Sequence, residues 1–202
     1  MYTNMNKIAM FEKELNYIHH EWIRDLTKKV INHIPDYFFE IPASSTGKYH
    51  PAYTTGDGGL LRHVQAACKM AHDVLSLEYF PEFKHDAVIA ALILHDSCKS
   101  GYPDKGKFTK HEHPILAKEL IETSLEVELS YAEFDNDAER EKQIKWYISK
   151  IGALVESHMG QWNTNKHSSI ILRKPQDEDE MLVHIFDFLA SRKYINIDLT
   201  AQ

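Results

Sequence analysis

Residues 84–96, KHDAVIAALILHD, carry eight consecutive apolar side chains at 87–94 and close on a histidine and an aspartate. A helix over this stretch is apolar on nearly every side, so it has no face to offer water and belongs at the centre of the structure. The rest of the chain must wrap it, and each wrapping segment needs an apolar stripe. The closing pair, His95 and Asp96, poses a chemical question as well. A buried imidazole and carboxylate without partners are costly, so something must hold them.

The wrapping segments read as helices. Apolar or aromatic residues at 15, 18, 22, 26, 30 and 34 follow helical rather than strand spacing and predict one helix over 12–34, ended by Pro35. Further helices are predicted over 60–77, 114–129, 142–159 and 175–193. The helix at 114–129 starts with proline at a position that tolerates it, Gly160 can terminate the one at 142–159, and four acidic residues open the last. Between them lie a long Pro- and Gly-containing loop at 35–59, whose aromatic rings favour packing, and a second loop at 98–113. The acidic stretch 130–141 reads as a solvated connection. Residues 168–174 suit either a short strand or an apolar loop, and the tail after 193 reads as extended. The fold class expected is all-α: a single-domain helical bundle over 1–202 with a long loop on its N-terminal side. Its core is expected at about 44–193, with the 1–34 helix packed on it.

A net charge of −7 argues against a broad basic surface for duplex DNA, while leaving room for a local groove that takes a nucleotide or a short strand. No stretch approaches the roughly 18 apolar residues of a membrane span, and the first residues lack the pattern of a secretory signal, so a cytoplasmic location is expected. Cys68 and Cys98 lack the spacing of a thiolate zinc site and read as small buried residues.

The 13 histidines matter by where they fall. His63 interrupts the helix at 60–77, His158 closes the helix at 142–159, and Asp187 sits among the apolar residues of HIFDFLA. Together with His95 and Asp96 they share a need that a divalent metal would meet, because neutral imidazoles and ionised carboxylates both donate lone pairs to it. Each residue alone has a bland alternative. A lone histidine is more often a hydrogen-bonded core or surface residue. The second His-Asp pair, His85 and Asp86, sits at a helix start where Asp86 has an electrostatic reason to be, and reads as structural. His72 lies nine positions after His63, on the opposite side of its helix, and reads as exposed. His19, His20, His33 and His167 show no partner pattern; His184 lies one turn before Asp187 and could support it.

The ordered segments GGLLRHV, AALILHDSCKSG, HEHPILA, ESHMGQW and HIFDFLASRK resemble the HD-domain superfamily of metal-dependent phosphohydrolases over about 44–193. The resemblance implies metal ligands at His63, His95, Asp96 and Asp187, with His113 and His158 added where two ions bind. His111 competes with His113, which is favoured because Pro114 follows it. The resemblance also implies a functional lysine at Lys99. The stretch SSTGKYHPAYTTGDGGLLRH is similar to the lead-in of the HD domain in bacterial 3′-to-5′ exoribonucleases. These 202 residues lack the oligonucleotide-binding barrel found there, and the GYP at 101–103 is out of place for a cyclic dinucleotide phosphodiesterase.

The expected activity is hydrolysis of a phosphomonoester or phosphodiester in a nucleotide or short single-stranded nucleic acid, with Asp96 and Lys99 as the catalytic pair. One or two divalent ions serve it, and histidine-rich ligation favours iron, manganese, nickel or cobalt over magnesium. Lys48, Tyr49 and His50 are candidate substrate contacts, although the same loop could simply cap the helix at 60. A nucleotide-binding or regulatory module without turnover is the alternative, and a helical interaction protein with structural histidines is a third reading.

Overall fold

A computed structural model of the chain describes residues 6–44, 47–48 and 50–200. Among the described residues there are seven α-helices, short 3-10 turns and no strand: α1 (Glu12–Asn16), α2 (Glu21–His33), α3 (Gly59–Leu75), α4 (Glu82–Leu94), α5 (His113–Phe134), α6 (Ala138–Glu156) and α7 (Glu178–Ala190). The fold class is all-α, as the spacing predicts. Helix α4 is the hub. Every residue from His85 to Leu94 is buried, and α2, α3, α6 and α7 all pack against it. A helix with no polar face can only be satisfied by neighbours on all sides. No described helix is long and apolar enough to cross a membrane.

Three expectations need correction. The helix read over 12–34 is two helices, broken at residues 17–20. The cause is Asp86, which is fully buried. Its Oδ2 accepts the His20 backbone N–H at 2.7 Å, and its two oxygens take the Nδ1 atoms of His19 (2.9 Å), His20 (2.7 Å) and His85 (3.0 Å). An uninterrupted helix would commit the His20 N–H to the carbonyl four residues back, so the buried carboxylate draws the chain out of the helix. Asp86 therefore stays structural, but as a clamp between α4 and the α1–α2 break rather than a charge at a helix start.

His72 is not exposed. It stacks on the Tyr17 ring at 3.9 Å, and its Nδ1 lies 3.0 Å from His85 Nε2. The acidic stretch at 130–141 is mostly helical, since α5 runs to Phe134 and α6 starts at Ala138, capped by the Asp137 carboxylate accepting the Arg140 N–H. Residues 168–174 form a loop. It is tied at Leu172, whose N–H donates to the Asn163 carbonyl at 2.8 Å and whose carbonyl accepts from Asn163 Nδ2.

Burial alone would push the Asp86 carboxyl up, but the hydrogen bonds from His85, His20 and His19 outweigh it and hold its pKa well below the carboxylate range. Asp86→Ala leaves the buried His85 imidazole, together with the part-buried His20 backbone N–H and the His19 and His20 rings, without this acceptor. The expected loss is about 3 kcal/mol or more, read as a fall in Tm of about 6–12 °C for a chain of this size. Because the folded pKa is depressed, the contribution is present above the ordinary carboxylate pKa near 4 and fades as pH falls through the folded value. The melting gap between native protein and variant should therefore narrow as the solution is made acid.

Within the loop at 35–59 the described aromatic residues pack as expected. Tyr37, Phe38 and Phe39 are buried, and the Arg62 side chain donates to the Tyr53 and Thr55 carbonyls. At Gly59 a Cβ would sit 2.1 Å from the Thr54 carbonyl oxygen, so only glycine lets the loop lie this close to the start of α3.

Candidate metal centre

His95 follows the last residue of α4, and the chain then turns through a buried segment, 95–98. The turn is fixed from outside by Tyr37, whose hydroxyl donates to the Gly101 carbonyl at 2.7 Å and accepts the Ser100 N–H. Leaving the helix at this point lets two adjacent residues aim at one place, which a regular helix would forbid by separating them about 100°. His63 reaches the same place from mid-α3, Asp187 from α7, His113 from the first residue of α5 and His158 from just beyond α6. Five separate parts of the chain thus converge.

Asp96 organises them. Its Oδ2 faces His63 Nε2 at 3.8 Å and His95 Nε2 at 3.5 Å, on the side where Asp187 Oδ1 lies 2.9 and 3.4 Å from the same two nitrogens. Its Oδ1 faces His113 Nε2 at 3.1 Å and His158 Nε2 at 3.9 Å. One carboxylate is therefore shared by two donor sets: His63, His95 and Asp187 on one side, His113 and His158 on the other. Lys99, three residues on, pairs with Asp96 Oδ2.

The imidazoles are prepared to donate lone pairs. His95, His113 and His158 each give their Nδ1–H to the carbonyl three residues earlier, at 2.7 Å in every case. That bond fixes ring and tautomer and turns Nε2 inward as an acceptor, the usual support for a metal-binding histidine. Two consequences test whether a cation fits. His95 Nε2 is buried between the Asp96 and Asp187 carboxylates at 3.5 and 3.4 Å without a well-formed hydrogen bond to either, and the Nε2 atoms of His113 and His158 face each other at 3.1 Å. Two buried lone pairs at that distance repel unless a cation lies with them. The residues present fit one or two divalent ions.

Charge is arranged to match. Burial would push Asp96 up, but Lys99, His95 and His113 outweigh it and hold the carboxyl well below its usual range. Asp187 is likewise held down against burial by His63 and His95. Burial, with His95 and His113 nearby, lowers His158 to about 3, so it is neutral and able to ligate at physiological pH.

A cleft of about 440 Å³ opens on this centre, lined by His50, His63, Lys99, Trp162, Asp187 and Arg192 among others. His50 belongs to it, its ring 5.8 Å from that of His63 and its pKa lowered to about 4, chiefly by burial. Lys48 is exposed and does not line this cleft; Tyr49 lies outside the described residues. His111 is not in the cluster. Its Nε2 instead meets the Ile170 carbonyl at 3.1 Å, which separates it from His113. Sequence reasoning missed Trp162 and Arg192, rim residues with no periodic or spacing signal of their own. It also missed the histidines around Asp86.

The HD domain family model matches residues 60–191, and no curated protein or solved structure matches the chain. The match spans more than half of the 202 residues and brackets every helix that contributes to the centre, from the start of α3 to the end of α7. The chain belongs to the HD domain family.

Proposed function

We propose that this protein is a metal-dependent phosphohydrolase acting on phosphoester bonds in a nucleotide or a short single-stranded nucleic acid. The observation that carries the reading is Asp96, one buried carboxylate with an oxygen turned toward each of two histidine sets. His63, His95, Asp96 and Asp187 would hold one ion, and Asp96, His113 and His158 a second. The histidine content favours iron, manganese, nickel or cobalt over magnesium. Divalent ions held there supply Lewis acidity for attack of water on phosphorus and offset the charge that the phosphoryl oxygens gather in the transition state.

The remaining work falls to side chains of the cleft. Lys99 ties down Asp96 and stands in the cleft wall, where its ammonium can neutralise a phosphate oxygen. His50, neutral near pH 7, gives the cleft lining an uncharged polar group that does not repel cations. Burial of Asp96 and the imidazoles keeps water from competing for their lone pairs, which strengthens each electrostatic contact.

Metal analysis of the purified protein, followed by assay on para-nitrophenyl phosphate and bis-para-nitrophenyl phosphate with each divalent ion, tests the reading. Bound transition metal and cleavage stimulated by manganese are expected; absence of both overturns it. Lys99→Met should keep the fold and bound metal while lowering kcat/KM by about 10- to 100-fold, since it removes one charge from the transition state. A variant with native activity would take Lys99 out of the chemistry.

A further inference from the structure

Trp162 differs from the other two tryptophans. Trp22 and Trp146 pack against the core and on each other, with ring centroids 5.4 Å apart. Trp162 is 42% exposed and lines the cleft beside the metal centre. Exposed indole normally costs stability, yet this one is held in place by several contacts. Its ring stacks on Phe188 (centroids 5.5 Å apart, planes 19° apart) and meets His184 edge-on at 5.7 Å. His184 Nδ1 donates to the carbonyl of His158 at 2.7 Å, so the support of the indole is bonded to the metal centre itself.

The backbone is built for this contact. Gly160 begins the 3-10 turn Gly160–Trp162 at φ +53°, and a Cβ there would lie 2.3 Å from the His184 ring. Only glycine lets the turn approach closely enough to seat Trp162. On the same stack the Arg192 guanidinium lies 4.2 Å from the Phe188 centroid, and it is fixed further by donating to the Ser191 hydroxyl at 2.7 Å and the Phe188 carbonyl at 3.2 Å. The cleft thus holds an open aromatic plate, a restrained guanidinium and the Lys99 ammonium within about 440 Å³, near the lower end of the range for small-molecule sites. A flat ring suits the plate, and a phosphate suits the two cations.

Resting on the phosphohydrolase reading of this same cleft, we propose that Trp162 is the seat of a nucleobase, with Arg192 and Lys99 flanking the phosphate of the same nucleotide. The base is read by stacking rather than by hydrogen bonds, so the seat tolerates any base and favours phosphoesters that carry one over those that do not. The volume suits a single nucleotide unit, whether a free mononucleotide or the end of a strand.

The test is titration calorimetry on the metal-loaded protein with the non-hydrolysable phosphonate analogues of adenosine 5′-monophosphate and ribose 5-phosphate. The native protein should bind the adenosine analogue at least about tenfold tighter, within what one base stacked on one aromatic ring contributes. Trp162→Ala should bring the ratio to within about threefold, and Trp162→Phe, which keeps a flat ring, should retain most of it. Equal affinities in the native protein, no binding of either analogue, or an undiminished preference in Trp162→Ala overturns the proposal. A phosphorothioate-linked single-stranded trinucleotide identifies the source of the base. Tighter Trp162-dependent binding than the mononucleotide assigns the seat to a strand end, and weaker binding assigns it to a free nucleotide. Trp162-dependent preference without cleavage of bis-para-nitrophenyl phosphate would remove the hydrolase reading and leave the seat standing; cleavage without preference would do the reverse.

Discussion

Asp96→Ala is expected to lower hydrolysis of bis-para-nitrophenyl phosphate by about four orders of magnitude, equivalent to about 5 kcal/mol of barrier, and to reduce bound metal to well below one ion per chain. The magnitude follows from the sharing. His63 and His95, which also meet Asp187, face Asp96 Oδ2, and His113 and His158 face Oδ1. Losing this side chain removes a ligand from both sets at once and also strands the Lys99 ammonium. His158→Ala touches only one set, so it should cost one ion and a smaller share of the rate. Asp96→Asn separates charge from shape, because it fills the same volume with a neutral amide whose oxygen can serve one set while its NH2 turns to the other. It should retain the fold, bind at most one ion and remain nearly inactive. Parallel metal analysis and kinetics decide. Near-native activity in Asp96→Ala, or equal metal content in Asp96→Ala and His158→Ala, would contradict the shared arrangement.

What the sequence reveals here follows from how local each constraint is. The α4 hub is legible because eight apolar residues in a row declare all-round burial without reference to any partner. His63 and Asp187 stand out because a polar residue inside an apolar helix contradicts its surroundings. His95 and Asp96 stand out because they close such a helix. The preference for His113 over His111 rests on the His-Pro that the family resemblance implies at this point and on Pro114, which fixes the helix start beside it.

The break at residues 17–20 was hidden because its cause, Asp86, lies 66 positions from His20 and looks like an ordinary helix-start acid. Residues 130–141 misled for another reason. Acidic composition reads as solvated connection, yet Glu and Ala favour helix, Ala132 is buried, and Lys145 pairs with Glu141 one turn away. Trp162 could not be singled out at all, because the exposed stack that makes it distinctive is set by Phe188, 26 positions on and in another helix.

Stripping the metal with a chelator is expected to lower Tm, and the loss should grow as pH rises from about 6.5 to 8.5. Reloading at a fixed free-metal concentration of about 100 times the Kd at pH 6.5 should restore about 2.7 kcal/mol at that pH, or roughly 5–11 °C for a chain of this length. The pH dependence comes from His95. Burial would lower its pKa, but Asp96 and Asp187 outweigh burial and raise it to about 10 in the metal-free protein. A proton then takes the cation's place between the two carboxylates. A histidine with a raised folded pKa contributes stability that is complete below the unfolded value near 6.5 and is lost as pH climbs through the folded value, at up to about 1.4 kcal/mol per pH unit between them. The metal-loaded protein holds no such proton and escapes this loss. Melting curves of loaded and stripped protein should therefore diverge from pH 6.5 to 8.5, and His95→Ala should abolish the divergence. Parallel curves across that interval would mean that no proton substitutes for the cation.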